Sequence, residues 1–228
     1  MAEFIAGSEE GFVSMMNTRA AELGMSNTNF VNTNGLDAGG HYSSARDISI
    51  MSRELLKYPK IFEYTTIWMD SLRDGKFQLA NTNKLIRFYK GANGLKTGST
   101  DKALCCLSGS AMRDNMQLIC VVMAAPTSAN RFSDASKMLD YGFANYAVKK
   151  IVTKDESLGE AGVLHGTENS ILALAKDNYN ALTSKGANTD ITRELVFYEN
   201  ITAPVKAGDK IGEIIISCLL YTSPSPRD

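Results

Sequence analysis

Residues 91–100 read GANGLKTGST, where glycines, a lysine and hydroxyl residues crowd together. Such a cluster suits either a phosphate cradle or an acyl-transfer site. A P-loop needs glycine directly before its lysine, as G-x-x-x-x-G-K-[ST], so that successive backbone amides curl round the phosphates as a helix begins. Here Leu95 stands between Gly94 and Lys96. The residues that follow, 103–112, form a strand-like run rather than a helix. The later apolar run LICVVMAAP also ends without the acidic residue that a nucleotide-bound magnesium would require. The phosphate reading fails on all three counts.

Working outward, residues 103–112 and 116–125 are two apolar runs separated by Arg113, Asp114 and Asn115, which predicts an antiparallel hairpin closed by Pro126. From Arg131 to Tyr146 the residues Phe132, Met138, Leu139, Phe143 and Tyr146 fall largely at helical spacing, so a helix is expected to pack back on the hairpin. Upstream, Ser8 can cap a helix carrying Phe12, Met16, Ala20 and Leu23 and closed by Gly24. Residues 27–44, rich in Asn, Gly and Ser, predict an irregular loop. Ser44-Ala-Arg-Asp47 then has the pattern of a capping box for a second helix that runs to about Lys57, before Pro59. Residues 62–88 show only weak periodicity. Downstream of a boundary near Ala147, LVFYENITAPVKAGDKIGEIIIS has the strand runs of a small all-β module, broken by Pro204 and a Gly208-Asp209 turn.

The whole chain, at 228 residues, is long enough for one large domain or two modest ones. With 24 basic and 25 acidic residues spread along it, there is no electrostatic footprint for nucleic acid or an anionic membrane. Cys105, Cys106, Cys120 and Cys218 lack C-x-x-C spacing, and with only His41 and His165 beside them they make a poor metal site. Adjacent residues on a strand face opposite ways, so Cys105 and Cys106 cannot serve one partner, and the cysteines are expected as small apolar fillers. No metal or cofactor is expected. No apolar run approaches the ~20 residues that span a bilayer, and MAEFIAGSEE lacks the features of a secretion signal.

Lys96-Thr97-Gly98 fits the K-T-G element of penicillin-recognising serine acyl transferases. On a strand, the lysine sets a positive charge beside the active serine, the threonine hydroxyl can bond a substrate carboxylate, and the glycine lets a ligand approach the backbone. An exposed edge could hold an extended peptide by strand addition. Together with their surroundings, YKGANGLKTGSTDKALCC and SANRFSDASKMLDYGFANY, and upstream FVSMMNTRAAELGMSNTNFVNTNGLD and HYSSARDISIMSRELLKYPKIFEYT, these residues resemble the D-alanyl-D-alanine carboxypeptidases. These are low-molecular-mass penicillin-binding proteins of the serine peptidase S11 family, and ITAPVKAGDKIGEIII resembles their β-rich C-terminal domain.

The resemblance implies an α+β, β-lactamase-like domain with an antiparallel sheet and packed helices over residues 1–147. A β-rich domain would follow over residues 148–217. Residues 218–228, ending in a Ser/Pro-rich string, are expected to be a non-native tail. It also implies that Lys96, Thr97 and Gly98 line the active site and that Arg131 joins Lys96 and Thr97 in binding the substrate carboxylate, a task for which a guanidinium fork is suited. The implied partners are peptidoglycan stem peptides ending in D-Ala-D-Ala, with β-lactams as inhibitors, at an extracytoplasmic location. Membrane association would come only through segments absent here.

The family's nucleophile lies in S-x-x-K on a helix, with an S-x-N element across the cleft. Ser99-Thr-Asp-Lys102 and Ser128-Ala-Asn130 match these patterns in form but in the wrong context, the first on a strand or turn and the second after K-T-G rather than before it. The chain is therefore expected to be an inactive fragment that starts past the true elements. A non-catalytic peptidoglycan-binding or structural protein and a β-lactamase-related hydrolase are the alternatives.

Overall fold

The computed structural model describes residues 1–186 and 189–220. The chain divides into two compact units, one ending at Phe143 and the other beginning at Ala144.

In the first unit a one-turn helix α1 (Ala2–Ala6) leads to Ser8, which has extended backbone and whose hydroxyl accepts from the Gly11 amide at 3.0 Å, capping α2 (Glu9–Glu22). Ser44 does the same for α3 (Ala45–Leu55), accepting from the Asp47 amide at 3.1 Å. Each cap satisfies an amide that the helix itself leaves without a partner. The other half of the expected capping box takes a different form. The Asp47 carboxylate, on a residue 1% exposed, accepts from the Asn27 amide and the Thr28 hydroxyl, both at 2.7 Å. It thereby pins the start of the irregular 27–44 loop to α3. Asn17 on α2 holds the same loop by bonding the Phe30 amide and carbonyl, each at 2.8 Å.

Residues 62–88 form α4 (Phe62–Thr65), a hairpin of β1 (Met69–Leu72) with β2 (Phe77–Ala80), and α5 (Leu85–Phe88). Every residue of β1 and β2 is exposed, so no face is buried and no alternation of apolar residues is needed.

The quoted stretch becomes β3 (Ala92–Thr100), which joins β4 (Leu104–Arg113) and β5 (Met116–Ala125) in an antiparallel sheet of order β3-β4-β5. The hairpin predicted from residues 103–125 is present. Asp114 and Asn115, at φ 49° and 60°, make its two-residue turn between the paired Arg113 and Met116. Positive φ at both central positions matches the twist of the flanking strands. On central β4, Leu107 through Ala111 are all buried, the pattern of a strand covered on both faces.

On one face of the sheet α3 is tied to β4 by a buried hydroxyl pair, Ser52 with Ser108, at 2.7 Å. On the other, α6 (Ser128–Asn145) contributes Ala135, Leu139 and Phe143 to the core. That helix begins three residues before Arg131, because the Thr127 hydroxyl accepts from the Asn130 amide at 3.1 Å and caps it.

The second unit is built of strand pairs: β6 (Tyr146–Val152), β7 (Ser157–Gly162), β8 (Ser170–Leu174), β9 (Tyr179–Ser184), β10 (Thr189–Phe197) and β11 (Gly212–Leu220). β6 pairs with β9, β7 with β8 and β10 with β11, all antiparallel. Among the described residues Val152, Ala161, Ala173 and Ala175 are its buried apolar residues. β11 runs three residues into the stretch expected as a tail, with Cys218, Leu219 and Leu220 paired to Ile191, Asp190 and Thr189. The remainder of that expected tail, 221–228, lies outside the described residues. Among the described residues no helix is long and apolar enough to cross a membrane.

Candidate active site

β3 is an end strand of its sheet, paired with β4 on one side only. The start of its other edge is closed by side chains: the Thr65 hydroxyl donates to the Asn93 carbonyl at 2.6 Å, and Asn83 Nδ2 to the Gly94 carbonyl at 2.9 Å. Beyond this closed segment come Lys96, Thr97 and Gly98, opposite Ser108, Leu107 and Cys106 of β4. Among the described residues no strand pairs with them on the outer side.

Their burial alternates. Lys96 and Gly98 are exposed while Thr97 is 7% exposed. The Lys96 ammonium bonds the carbonyl of Thr97, and the Thr97 hydroxyl meets the hydroxyl of Thr82 at 2.6 Å.

Two glycines of the stretch have different reasons for being there. Gly91 has φ 81°, and a Cβ there would meet the Met112 carbonyl oxygen at 2.4 Å, so the fold itself requires glycine. At Gly98 a Cβ would meet nothing within 4 Å. Protein packing does not require that glycine, and the open space beside it leaves the backbone accessible to a ligand.

Arg131, on the first turn of α6, is 6% exposed. Its Nη1 donates to the carbonyls of Gly98 at 3.2 Å and Cys106 at 3.1 Å, its Nη2 to the Ser128 hydroxyl at 3.2 Å, and its guanidinium lies 4.7 Å from the Phe132 ring centre. The helix thus delivers the arginine to the K-T-G strand, where it braces the backbone of Gly98 and its cross-strand partner. At the far end of β3 the Asp37 carboxylate accepts from the Thr100 hydroxyl at 2.7 Å and the Lys102 amide at 3.2 Å. The 27–44 loop is therefore fastened beside the motif.

The formal matches to S-x-x-K and S-x-N fall at the end of β3 and at the start of α6. Ser99 lies on β3 and Lys102 in the turn after it, while Ser128 supports Arg131 at the start of α6. Thr82, Asn83 and Asp37 were not singled out by sequence reasoning. The run Asn81-Thr82-Asn83 carries only the composition of a turn. Cys105 and Cys106 are half-buried on β4, and Cys120 is buried on β5. Among the described residues no group of three or more His, Cys, Asp or Glu is placed to hold a metal.

The sequence profile of the D-alanyl-D-alanine carboxypeptidase family matches residues 1–127, more than half of the chain. The chain belongs to this family. A second profile, for the C-terminal domain of penicillin-binding protein 5, matches residues 146–219.

Among individual relatives of this D-alanyl-D-alanine carboxypeptidase family chain, the carboxypeptidase DacF of Bacillus subtilis is 42% identical over 220 residues, covering 95% of the chain and 57% of the relative. Among solved structures, penicillin-binding protein 5 of Haemophilus influenzae is 32% identical with a TM-score of 0.70, covering 95% of this chain and 63% of that one. PBP3 of Streptococcus pneumoniae, a peptidoglycan synthesis regulatory factor, is 30% identical with a TM-score of 0.77, covering 92% and 64%. The chain spans little more than half the length of the curated relatives it matches. The penicillin-binding protein fold is shared with these structures, and the C-terminal unit is the β-rich domain that accompanies it.

Proposed function

We propose that this chain forms the K-T-G wall of a serine-type D-Ala-D-Ala carboxypeptidase that removes the terminal D-alanine of peptidoglycan stem peptides. The observation that carries the reading is the state of β3. Lys96 and Gly98 are exposed on an end strand that, among the described residues, has no strand paired on its outer side, and a Cβ at Gly98 would meet nothing within 4 Å. An extended peptide can add to that edge through its backbone.

In the reaction a serine hydroxyl adds to the carbonyl between the two D-alanines, the C–N bond breaks, and D-alanine leaves with a proton on its nitrogen. Water then cleaves the acyl ester and regenerates the serine. Lys96 supplies positive charge where negative charge develops. Thr97 donates its hydroxyl to the terminal carboxylate. Arg131, whose Nη1 holds the Gly98 carbonyl, adds its charge behind the strand.

β-lactams fit the same site as acylating inhibitors. The Listeria monocytogenes penicillin-binding protein D2, 37% identical with a TM-score of 0.54, was solved in its cefotaxime-bound form. Because the substrate lies outside the cytoplasmic membrane, the protein acts there.

A chimera tests the reading. This chain replaces the matched residues of the B. subtilis relative, which supplies the rest of the catalytic domain, and D-alanine release from N,N′-diacetyl-L-Lys-D-Ala-D-Ala is measured. Release is expected from the folded chimera, falling by about 10²-fold or more with Lys96→Ala. A folded chimera with no release, or one indifferent to Lys96→Ala, overturns the proposal.

A further inference from the structure

We propose that Thr82 is a positioning residue that turns the hydroxyl proton of Thr97 outward, and that it thereby sets the site's preference for a free terminal carboxylate. The inference rests on the carboxypeptidase reading, in which Thr97 meets that carboxylate.

A hydroxyl has one proton and two lone pairs. The Thr82 and Thr97 oxygens lie 2.6 Å apart, so one of the two protons lies between them and either residue can supply it. If Thr97 donates to Thr82, Thr97 offers only lone pairs to an incoming ligand, and a carboxylate, which is all acceptor, is repelled. If Thr82 donates to Thr97, the proton of Thr97 is free to bond the carboxylate. Binding of a carboxylate selects the second arrangement, and only Thr82's proton makes it available without leaving the Thr97 oxygen short of a partner on a residue 7% exposed.

The donor is held in place by its neighbours. Asn81 closes the root of the β1–β2 hairpin, its amide donating to the Trp68 carbonyl at 2.8 Å and its Nδ2 to the Ile67 carbonyl at 2.9 Å. Asn83 is tied back to Asn81 through its own amide at 2.9 Å and forward to the Gly94 carbonyl at 2.9 Å. Thr82 therefore stands between two fixed asparagines, exposed at the K-T-G edge. A donor fixed before the ligand arrives needs no reorganisation when it binds.

The chimera described above, with the nucleophilic serine supplied by the relative replaced by alanine so that the peptide is bound and not cleaved, is titrated calorimetrically with N,N′-diacetyl-L-Lys-D-Ala-D-Ala and with its C-terminal carboxamide. The carboxamide can donate to Thr97's lone pairs, so it does not need the proton turned outward. Wild type is expected to prefer the acid. Thr82→Val, close in shape but without the proton, should weaken acid binding about tenfold while leaving carboxamide binding unchanged. Thr82→Ser, which keeps the hydroxyl, should restore the acid preference.

Equal weakening for both peptides in Thr82→Val, or an unchanged acid preference, overturns the positioning role, because a merely structural tie would act on both ligands alike. Wild type that binds both peptides equally also overturns it and leaves the carboxypeptidase reading standing. Wild type that binds neither peptide counts against that reading, and this inference falls with it.

Discussion

At the scale of single residues, Arg131 and Cys120 show how burial decides what a reactive-looking group does. Arg131 was expected to offer its fork to a substrate, and in the fold its Nη1 bridges two backbone carbonyls while Nε is buried with no hydrogen-bond partner among the described residues. In the fold this arginine braces the K-T-G strand, holding the Gly98 carbonyl and that of its cross-strand partner. Cys120, buried against the β4 backbone, has its thiol pushed up to about 11 by that burial. Between the ordinary thiol value of 9.0 and about 11 the unfolded chain loses this proton while the folded chain keeps it, so the folded state binds more protons. Stability is therefore full below pH 9 and falls as pH rises toward 11, by up to ~1.4 kcal/mol per unit from this group. Urea midpoints of wild type and Cys120→Ala, measured from pH 8 to 11, should converge across that window. Parallel lines would show that the thiol does not contribute.

At the scale of elements, the two hairpins of the first unit contrast sharply. β4–β5 was legible because its residues must be buried and its turn must accept positive φ, and both demands leave marks in the sequence. β1–β2 was not, because strands exposed on every residue impose no pattern. The turn of β4–β5 is a point where a local demand can be measured. Asn115, at φ 60°, tolerates the left-handed region, whereas a β-branched residue there is strained. Asn115→Val should cost about 1–2 kcal/mol and Asn115→Gly only a few tenths, read as shifts of urea midpoint at constant slope. Equal midpoints for all three would mean that the turn does not constrain the hairpin.

At the scale of the whole molecule, the chain is two compact units, each with its own buried residues. Chains of this kind depart from a single all-or-none transition. Denaturation followed by far-ultraviolet circular dichroism should resolve two steps. Arg131→Met, which strands the Gly98 and Cys106 carbonyls, should lower only the step of the first unit, by about 2 kcal/mol. One transition that moves as a whole would show that the units unfold together.

The sequence by itself determined the elements whose cause is local. Ser8 and Ser44 announce helices because a short hydroxyl side chain meets a free amide three residues on. The K-T-G motif, the hairpin after it and the helix that follows are visible because their spacing repeats the geometry of strand and helix. Tertiary structure alone decided which groups meet across distance. Asp47 turned from its own helix to the 27–44 loop, because the buried carboxylate found an amide and a hydroxyl there. Thr82 met Thr97, fifteen positions away, because Asn81 and Asn83 fold the turn against β3. Neither pairing has a spacing rule, since a hydrogen bond between distant segments depends on where the intervening chain is packed and not on the order of the residues it joins.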